Sequence, residues 1–411
     1  MSNLFGVETN MRGVPLWSAG AAWNISSERL YHWDWMGFMR LKLTYGYNGN
    51  VDKSLSSLTA VAMATRNILI PNLPYALITN PPNPDLRWER IGITNLALDF
   101  ESKNARVGGS IEYYHKKGKD LIGESPVPLS NGILTYTGNF SETKTNGLDL
   151  MLTTVNTGGA IKWTTIAMAS FIDEEVVSFK GARTVSQYLG SSGGGLVPRE
   201  GSPLFAIYSY KWGGLDPDTG SALGYLDGEL SDDYGKIVGA TQPEDLILHG
   251  AARPTYFGAL RNELSFKNWN LSVNVTYRAG YYFRRRSVNY RDLLTGVISH
   301  PDYADRWQQP GDELNTQIPA MPEVLNTSRD SFYQFSSVLV EKGDHVRLQD
   351  VRLSYTLCRD YFPKLPFQSM ELYGYANNLG IIWKATNIDL DPDYPTSRPL
   401  RSIAFGLRVG F

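Results

Sequence analysis

The chain has 411 residues, a formal net charge of -2 and a single cysteine, Cys358. That balance gives no global pull toward nucleic acid or acidic lipid, and one thiol excludes an intrachain disulfide and a cysteine-based metal cluster. Aromatics make up 12% of the residues, with 24 Tyr and 10 Trp, a richness suited to rings at bilayer interfaces.

The start, Met1 to Gly6, lacks the basic n-region and apolar h-region of a signal peptide. Beyond it, alternation between two faces marks strands. Trp17, Ala19, Ala21 and Trp23 oppose Ser18, Gly20, Ala22 and Asn24. Met39, Leu41, Leu43, Tyr45 and Tyr47 oppose Arg40, Lys42, Thr44 and Gly46. Val107, Ile111 and Tyr113 oppose Arg106, Ser110, Glu112 and Tyr114, and Leu148, Leu150 and Leu152 oppose Gly147, Asp149 and Thr153. Weaker candidates are Gly92–Phe100, Ile161–Phe171, Tyr256–Phe266 and Met370–Asn377. The cleanest strand sets Trp269, Leu271, Val273, Val275, Tyr277, Ala279 and Tyr281 against Asn268, Asn270, Ser272, Asn274, Thr276 and Arg278. His345–Leu357 keeps its phase only if one extra residue enters near Gln349 and Asp350, which predicts a β-bulge. In the final strand Ile403, Phe405, Leu407, Val409 and Phe411 share an apolar face.

The links alternate in length. Short ones fall at Glu101–Ala105, Asn156–Ala160, Lys267-Asn268 and Cys358–Gln368. Long ones fall at Asn48–Leu86, Lys116–Thr143, Asp173–Arg253, Tyr282–Asp344 and Asn378–Leu400. No uncharged run approaches the roughly 18 residues of a transmembrane helix. Two-faced strands with short turns at one end and long loops at the other predict an all-β fold, a transmembrane antiparallel β-barrel with its long loops outside the cell. Negative mean hydropathy, -0.27, agrees with strands that turn half their residues to water. About eleven spanning strands are expected, an odd number that does not close a standard single-chain bacterial barrel. With the missing leader, this predicts a partial barrel from a longer protein. The polar set Asn270, Ser272, Asn274, Thr276 and Arg278 would face the lumen, and Val273 and Val275 the lipid. A soluble all-β binding or adhesion protein, its apolar faces packed as a sandwich, is the alternative.

Several segments resemble the C-terminal half of SusC/RagA-type TonB-dependent transporters of the bacterial outer membrane. They are Asn83–Glu89 (NPDLRWE), Ile111–Lys117 followed by Lys119–Ile122, Asn146–Leu150, Trp17–Asn24 with Leu41–Asn50, Gly213–Gly220 (GGLDPDTG), Val346–Leu357, and Asn377–Leu379 with Asp391–Asp393. Cys358 stands where the family pattern expects proline. The resemblance implies that residues 1–411 are the C-terminal part of a barrel of about 22 strands, without its plug domain and TonB box. It implies uptake of glycan or peptide fragments, not catalysis, and no cofactor. The implied partners are a SusD-like surface lipoprotein acting as a lid, the TonB complex acting through the missing N-terminal part, the barrel assembly machinery and outer-membrane lipid. Phe405, Leu407, Val409 and Phe411 would be the strand that this machinery reads.

Other constellations carry less. His32, His115, His249, His300 and His345 are scattered in or beside loops, so all five are expected as surface polar residues and not as a metal site. Ser191–Gly195 is expected as a flexible loop and not a phosphate cradle, since no lysine or helix start follows it. Asp216, Asp218 and Gly220 suit a tight Asp-Pro turn better than a calcium loop, as do Asp389, Asp391 and Asp393. Tyr282, Arg284, Arg285 and Arg286, with Trp212 and Trp307, are candidates for substrate contact at the outer rim, where aromatics would stack on sugar rings or peptide side chains. A solvated loop start is the competing expectation for Arg284, Arg285 and Arg286, and ordinary loop packing for Trp212, Trp307, Tyr208, Tyr210 and Tyr303.

Overall fold

The computed structural model of the chain describes residues 15–50, 57–66, 71–126, 128, 130, 133, 135–181, 183–190, 198–359 and 366–411. The start of the chain and Ser191–Gly195 lie outside them. Eleven strands form one antiparallel sheet. They are β1 (Trp17–Asn24), β2 (Met36–Asn50), β3 (Glu89–Ser102), β4 (Val107–Pro126), β5 (Thr135–Gly158), β6 (Ile161–Phe179), β7 (Tyr256–Phe266), β8 (Trp269–Ala279), β9 (His345–Cys358), β10 (Ser369–Lys384) and β11 (Ser402–Gly410). Each pairs with the next in chain order, so the sheet is an up-and-down meander. Among the described residues it is open: β1 pairs only with β2, and β11 only with β10.

The exposure gradient across the sheet is the reverse of a soluble protein's. Leu353 is 46% exposed while its neighbour Ser354 is 1% exposed; Leu260 is 43% exposed and Asn274 8%. Each row of outward apolar residues continues across the pairing, as in Leu264, Leu271 and Leu353. Among the described residues no second large sheet covers these rows, the other sheets having only two or three strands. A sandwich would bury them. An apolar band left open to the surroundings is what a lipid-facing barrel wall presents.

The bulge falls where the phase change predicts it. Asn274 pairs with Asp350 and Val275 with Leu348, so Gln349 is the extra residue. Its amide donates to Asn377 Oδ1 at 3.0 Å. The inserted residue returns Val351 and Leu353 to the apolar face and swings Asp350 to the polar one.

Several elements run longer than their alternation suggests. Within Lys116–Thr143, expected as a loop, residues 116–126 and 135–143 instead extend the β4–β5 hairpin, with pairing from Lys116↔Thr145 up to Pro126↔Thr135. Threonines 135, 137, 143 and 145 favour extended backbone, but beyond the membrane neither face needs to be apolar, so no alternation marks them. β6 likewise continues to Phe179 and β10 to Lys384. In the opposite direction, β8 stops at Ala279 because Gly280 takes a φ of 76°. Tyr281 therefore leaves the apolar face on which alternation places it and is buried in the loops.

Those loops form a body with a core of its own. Tyr188, Leu189, Tyr208, Tyr210, Tyr234, Ile237 and Phe332 pack in one cluster, and Val288, Tyr290, Ile318, Tyr333 and Leu339 in a second. Two helices supply the framework. Tyr234–Ala240 is capped by Asp233, whose carboxylate accepts from Lys236 N at 3.1 Å. Thr327–Gln334 is capped by Asn326, which accepts from the Ser328 and Arg329 amides at 3.0 and 3.1 Å. Both caps answer the amides a helix start leaves unpaired.

Candidate functional site

Two surfaces are candidates: the polar face of the sheet and the loop body at the sheet's wide-loop end. On the polar face the five residues singled out by alternation, Asn270, Ser272, Asn274, Thr276 and Arg278, do share one side of β8. They stand in a field of charge that single-strand alternation does not reveal. The Asn274 amide donates to Asp350 Oδ2 at 2.8 Å, and Ser265 donates to Asn270 Oδ1 at 2.7 Å. Arg352 meets Glu371 at 2.7 Å one strand further on. At the other end of the sheet Asp99 receives Arg40 and Lys42 at 3.1 and 3.0 Å. Arg40, Lys42 and Arg352 each meet a carboxylate on the neighbouring strand, and Arg278 and Arg347 meet loop aspartates, so the face is polar and largely charge-balanced. Such a surface holds water and hydrogen-bonds a passing solute without trapping one sign of charge.

At the wide-loop end the last connection, residues 385–401, is tied to the sheet by ion pairs. Arg347, buried, meets Asp391 at 2.5 Å and donates to Asn378 Oδ1 at 2.7 Å. Asp393 receives Arg278 at 2.7 Å, His345 Nε2 at 3.2 Å and the Tyr281 hydroxyl at 3.3 Å. Burial alone would raise the Asp393 carboxyl, but the hydrogen bond and charge of His345, with the charge of Arg278, outweigh it and hold it at about 2. His345 corrects the expectation of five surface histidines: it is 2% exposed, because it must lie under the loop to reach Asp393. Asp389 pairs with Arg398. All three aspartates are thus taken by cations of the chain itself. Asp216 accepts from the Asp218 and Thr219 amides at 2.9 and 2.8 Å and from the Thr219 hydroxyl, a tight turn. It is closed by Gly220, whose φ of 63° and contact with the Trp307 ring leave no room for a Cβ.

The rim candidates divide. Arg284 donates to Leu189 O at 2.7 Å and to Tyr208 O, with its guanidinium 4.9 Å from the Phe335 ring centre. It stitches the loop 180–255 to the loop 280–344, and burial pushes its pKa down to about 10. Arg285 meets Asp302 at 2.6 Å. Trp307 is buried, and Trp212 stacks on Phe332 with centroids 6.3 Å apart. Tyr208 and Tyr210 belong to the core. Arg286 is exposed and Tyr282 half-buried, and both line a cavity of about 460 Å³ between residues 281–286, Phe335 and the turn at Pro392 and Pro395. Chain position alone did not separate Arg286 from its two engaged neighbours.

A membrane-barrel wall with a charged polar face and a folded loop body defines a class of protein, the β-barrels of the bacterial outer membrane. Within it, the chain is 24% identical over 409 residues to TonB-dependent receptor P26 of Formosa agariphila, covering 95% of this chain and 40% of that protein. It is 23% identical to TonB-dependent receptor P3 of the same organism, covering 94% and 39%. The chain thus spans about 40% of the length of the curated relatives it matches. No family model matches it. Among solved structures, the RagAB peptide transporter superposes with a TM-score of 0.78 at 19% identity, over 98% of this chain and 44% of that one. Its open-open state superposes with a TM-score of 0.73. The chain is similar in sequence to TonB-dependent receptors over nearly its whole length, and it shares its fold with part of the RagAB peptide transporter. By name these relatives are TonB-dependent receptors and a peptide transporter.

Proposed function

We propose that the chain is the C-terminal part of the barrel wall of a TonB-dependent transporter that takes up glycan or peptide fragments. The observation that carries this is the open sheet with its apolar face outward. Among the described residues the edges β1 and β11 are unpaired, which in a bilayer leaves backbone groups without partners, so the wall needs further strands to close. In this reading the polar face, with Asn270, Ser272, Asn274, Thr276 and Arg278, lines the lumen. The loop body meets a SusD-like lipoprotein at the outer surface, and a plug domain outside this chain couples to the TonB complex. Tyr282 and Arg286 line a cavity of peptide side-chain or sugar-ring size and are the substrate contacts expected at the rim. Arg284, Arg285, Trp212 and Trp307 serve that contact by holding the loop body in shape.

The test is uptake by cells carrying the full-length protein. Fluorescent peptide or oligosaccharide uptake should disappear when TonB is deleted and fall when Tyr282 and Arg286 are both replaced by alanine, with outer-membrane levels unchanged. Uptake that persists without TonB would overturn the reading. The apolar face of the last strand, Phe405, Leu407 and Val409 with Phe411, is proposed as the segment read by the assembly machinery. Removing Phe411 should lower outer-membrane levels with transcript unchanged.

A further inference from the structure

On the outer, apolar side of the sheet, at its wide-loop end, the rings give way to cations. Along β4 the outward positions run Val107, Gly109, Ile111, Tyr113, His115, Lys117 and Lys119. Tyr113 is the last apolar position of that series. Beside it, Trp17, Tyr45 and Tyr47 form a three-ring cluster, with Trp17 5.5 and 5.9 Å from the two tyrosines and the Tyr45 hydroxyl donating to Tyr47 at 2.9 Å. From Met39 to Tyr47 β2 spans a lipid-facing run close to the roughly 9–11 residues of a transmembrane strand. The rings therefore sit at the interface, and the cations just beyond them sit at headgroup height.

These groups surround one cavity of about 500 Å³, between Trp17, Tyr45, Tyr47, Arg90, Lys117 and Lys119. The register makes it: Tyr47 faces Gly92, which faces Lys117, and the missing side chain at Gly92 lets the Tyr47 ring lie over the glycine. The charge is not balanced in place. Arg87 and Arg90 share the single carboxylate of Asp120, with Arg90 Nε at 2.8 Å. Lys144, on the next strand, is paired with Glu175 at 2.6 Å, and the His115 ring is 2.8 Å from Asn146 Oδ1. Among the described residues Lys117 and Lys119 have no ion pair. This differs from the polar face, where most cations meet a carboxylate. An excess of positive charge on the membrane side, above a ring belt, has one complementary neighbour in a bilayer: a phosphorylated headgroup.

We propose that this cavity binds the phosphorylated headgroup of an outer-leaflet glycolipid, with Lys117 and Lys119 on phosphate and the three rings against the sugar and upper acyl region. The inference goes beyond transport and needs only that the sheet faces lipid on this side.

The test is native mass spectrometry of the full-length protein in non-ionic detergent. The probes are bisphosphorylated lipid A, the same lipid stripped of its phosphates, and inorganic phosphate alone. The double variant Lys117→Ala, Lys119→Ala should bind lipid A about 25-fold more weakly, about fivefold for each cation removed near a charged lipid surface. Lys117→Arg with Lys119→Arg should restore binding, and wild-type protein should bind the stripped lipid as weakly as the double alanine variant binds lipid A. Unchanged lipid A binding in the double alanine variant, or equal binding of the stripped lipid, would overturn the proposal. Inorganic phosphate bound as tightly as lipid A would assign the site to a free anion and overturn the lipid as its source. Heat-dependent migration of the folded barrel on a gel reports separately on the barrel itself, and the wild-type comparison of the two lipids stands even if the double variant does not fold.

Discussion

The sheet and the loop body are built from the same residue types by opposite rules. In the sheet, leucine and tryptophan face outward, with Trp269 49% exposed, while serine, asparagine and aspartate are drawn inward. In the loop body, Phe332 and Tyr208 are fully buried and polar side chains serve as caps and stitches. The difference lies in the solvent each region meets. Lipid tails reward apolar surface and penalise unpaired backbone, so the sheet hides its peptide groups in ladders and leaves its side-chain greasiness outside. The loop body stands in water and must remove its rings from it. Tyr281, one residue past the Gly280 turn, marks the border: the alternation that would send it to lipid ends, and the ring is buried beside His345 and Asp393.

If the loop body is held by burial, its cores should be where substitution costs most. Phe332→Ala removes a ring that touches Tyr210, Trp212 and Tyr234, and should cost about 3–5 kcal/mol of loop-body stability. The measurement is limited proteolysis of the folded full-length protein. The loop segments 180–255 and 280–344 should become cleavable while heat-dependent gel migration of the barrel, with β7 and β8 in it, stays unchanged. Loss of the barrel as well would show that the two regions are one cooperative unit and break the comparison.

In the sheet the same logic runs inside out. Val273→Arg puts a cation on the lipid face and should cost about 2–4 kcal/mol in bilayer folding. Asn274→Arg, one residue along, meets Asp350 on the polar face and should cost much less. The measurement is the folded fraction in lipid vesicles against urea. Equal costs would mean that the two faces do not differ in their surroundings.

How much of this was legible beforehand follows from the same contrast. β1 and β7 match the alternating segments end for end, because both stay inside the band where one face must be apolar. The upper halves of β4 and β5 were missed, since Thr135 to Thr145 lies where both faces are wet and the period-two signal fades. The bulge at Gln349 was legible as a break in phase. The partners it creates were not: that Asp350 would lie against Asn274 depends on the pairing of β8 with β9, and no single strand encodes its register. The loop cores were the least legible. Tyr208, Tyr290 and Phe332 come from segments far apart with no periodicity. Arg284 read as a rim contact because its aim at Leu189 and Tyr208 appears only after the loops have folded together.

The seam between the regions has a pH signature. The Asp393 carboxyl is held at about 2 against an ordinary 3.8, so its pairs with His345 and Arg278 contribute stability that is fully present above pH 3.8. That contribution, about 2 kcal/mol, is lost as pH falls toward 2. Hydrogen exchange of residues 385–401 should therefore rise between those values. Asp393→Asn should exchange faster at neutral pH and lose the acid step, whereas an unchanged acid step would place the sensitivity elsewhere.

The smallest effect comes from the same loop and sharpens the contrast within it. Arg347 and Arg398 each meet an aspartate there, Asp391 and Asp389, but the Arg347 side chain is 4% exposed and that of Arg398 75%. Removing one partner of a buried pair strands the other in a poor solvent, which costs about 3–5 kcal/mol. An exposed pair exchanges its partner for water and salt, and the change is about 0–1 kcal/mol. Arg398→Ala should therefore leave exchange of residues 385–401 close to wild type, and raising salt should erase what difference there is. Arg347→Ala should release the segment at any salt concentration. If Arg398→Ala released it equally, the loop would be held from its solvent side, and the border between the two regions would run through this loop and not beneath it.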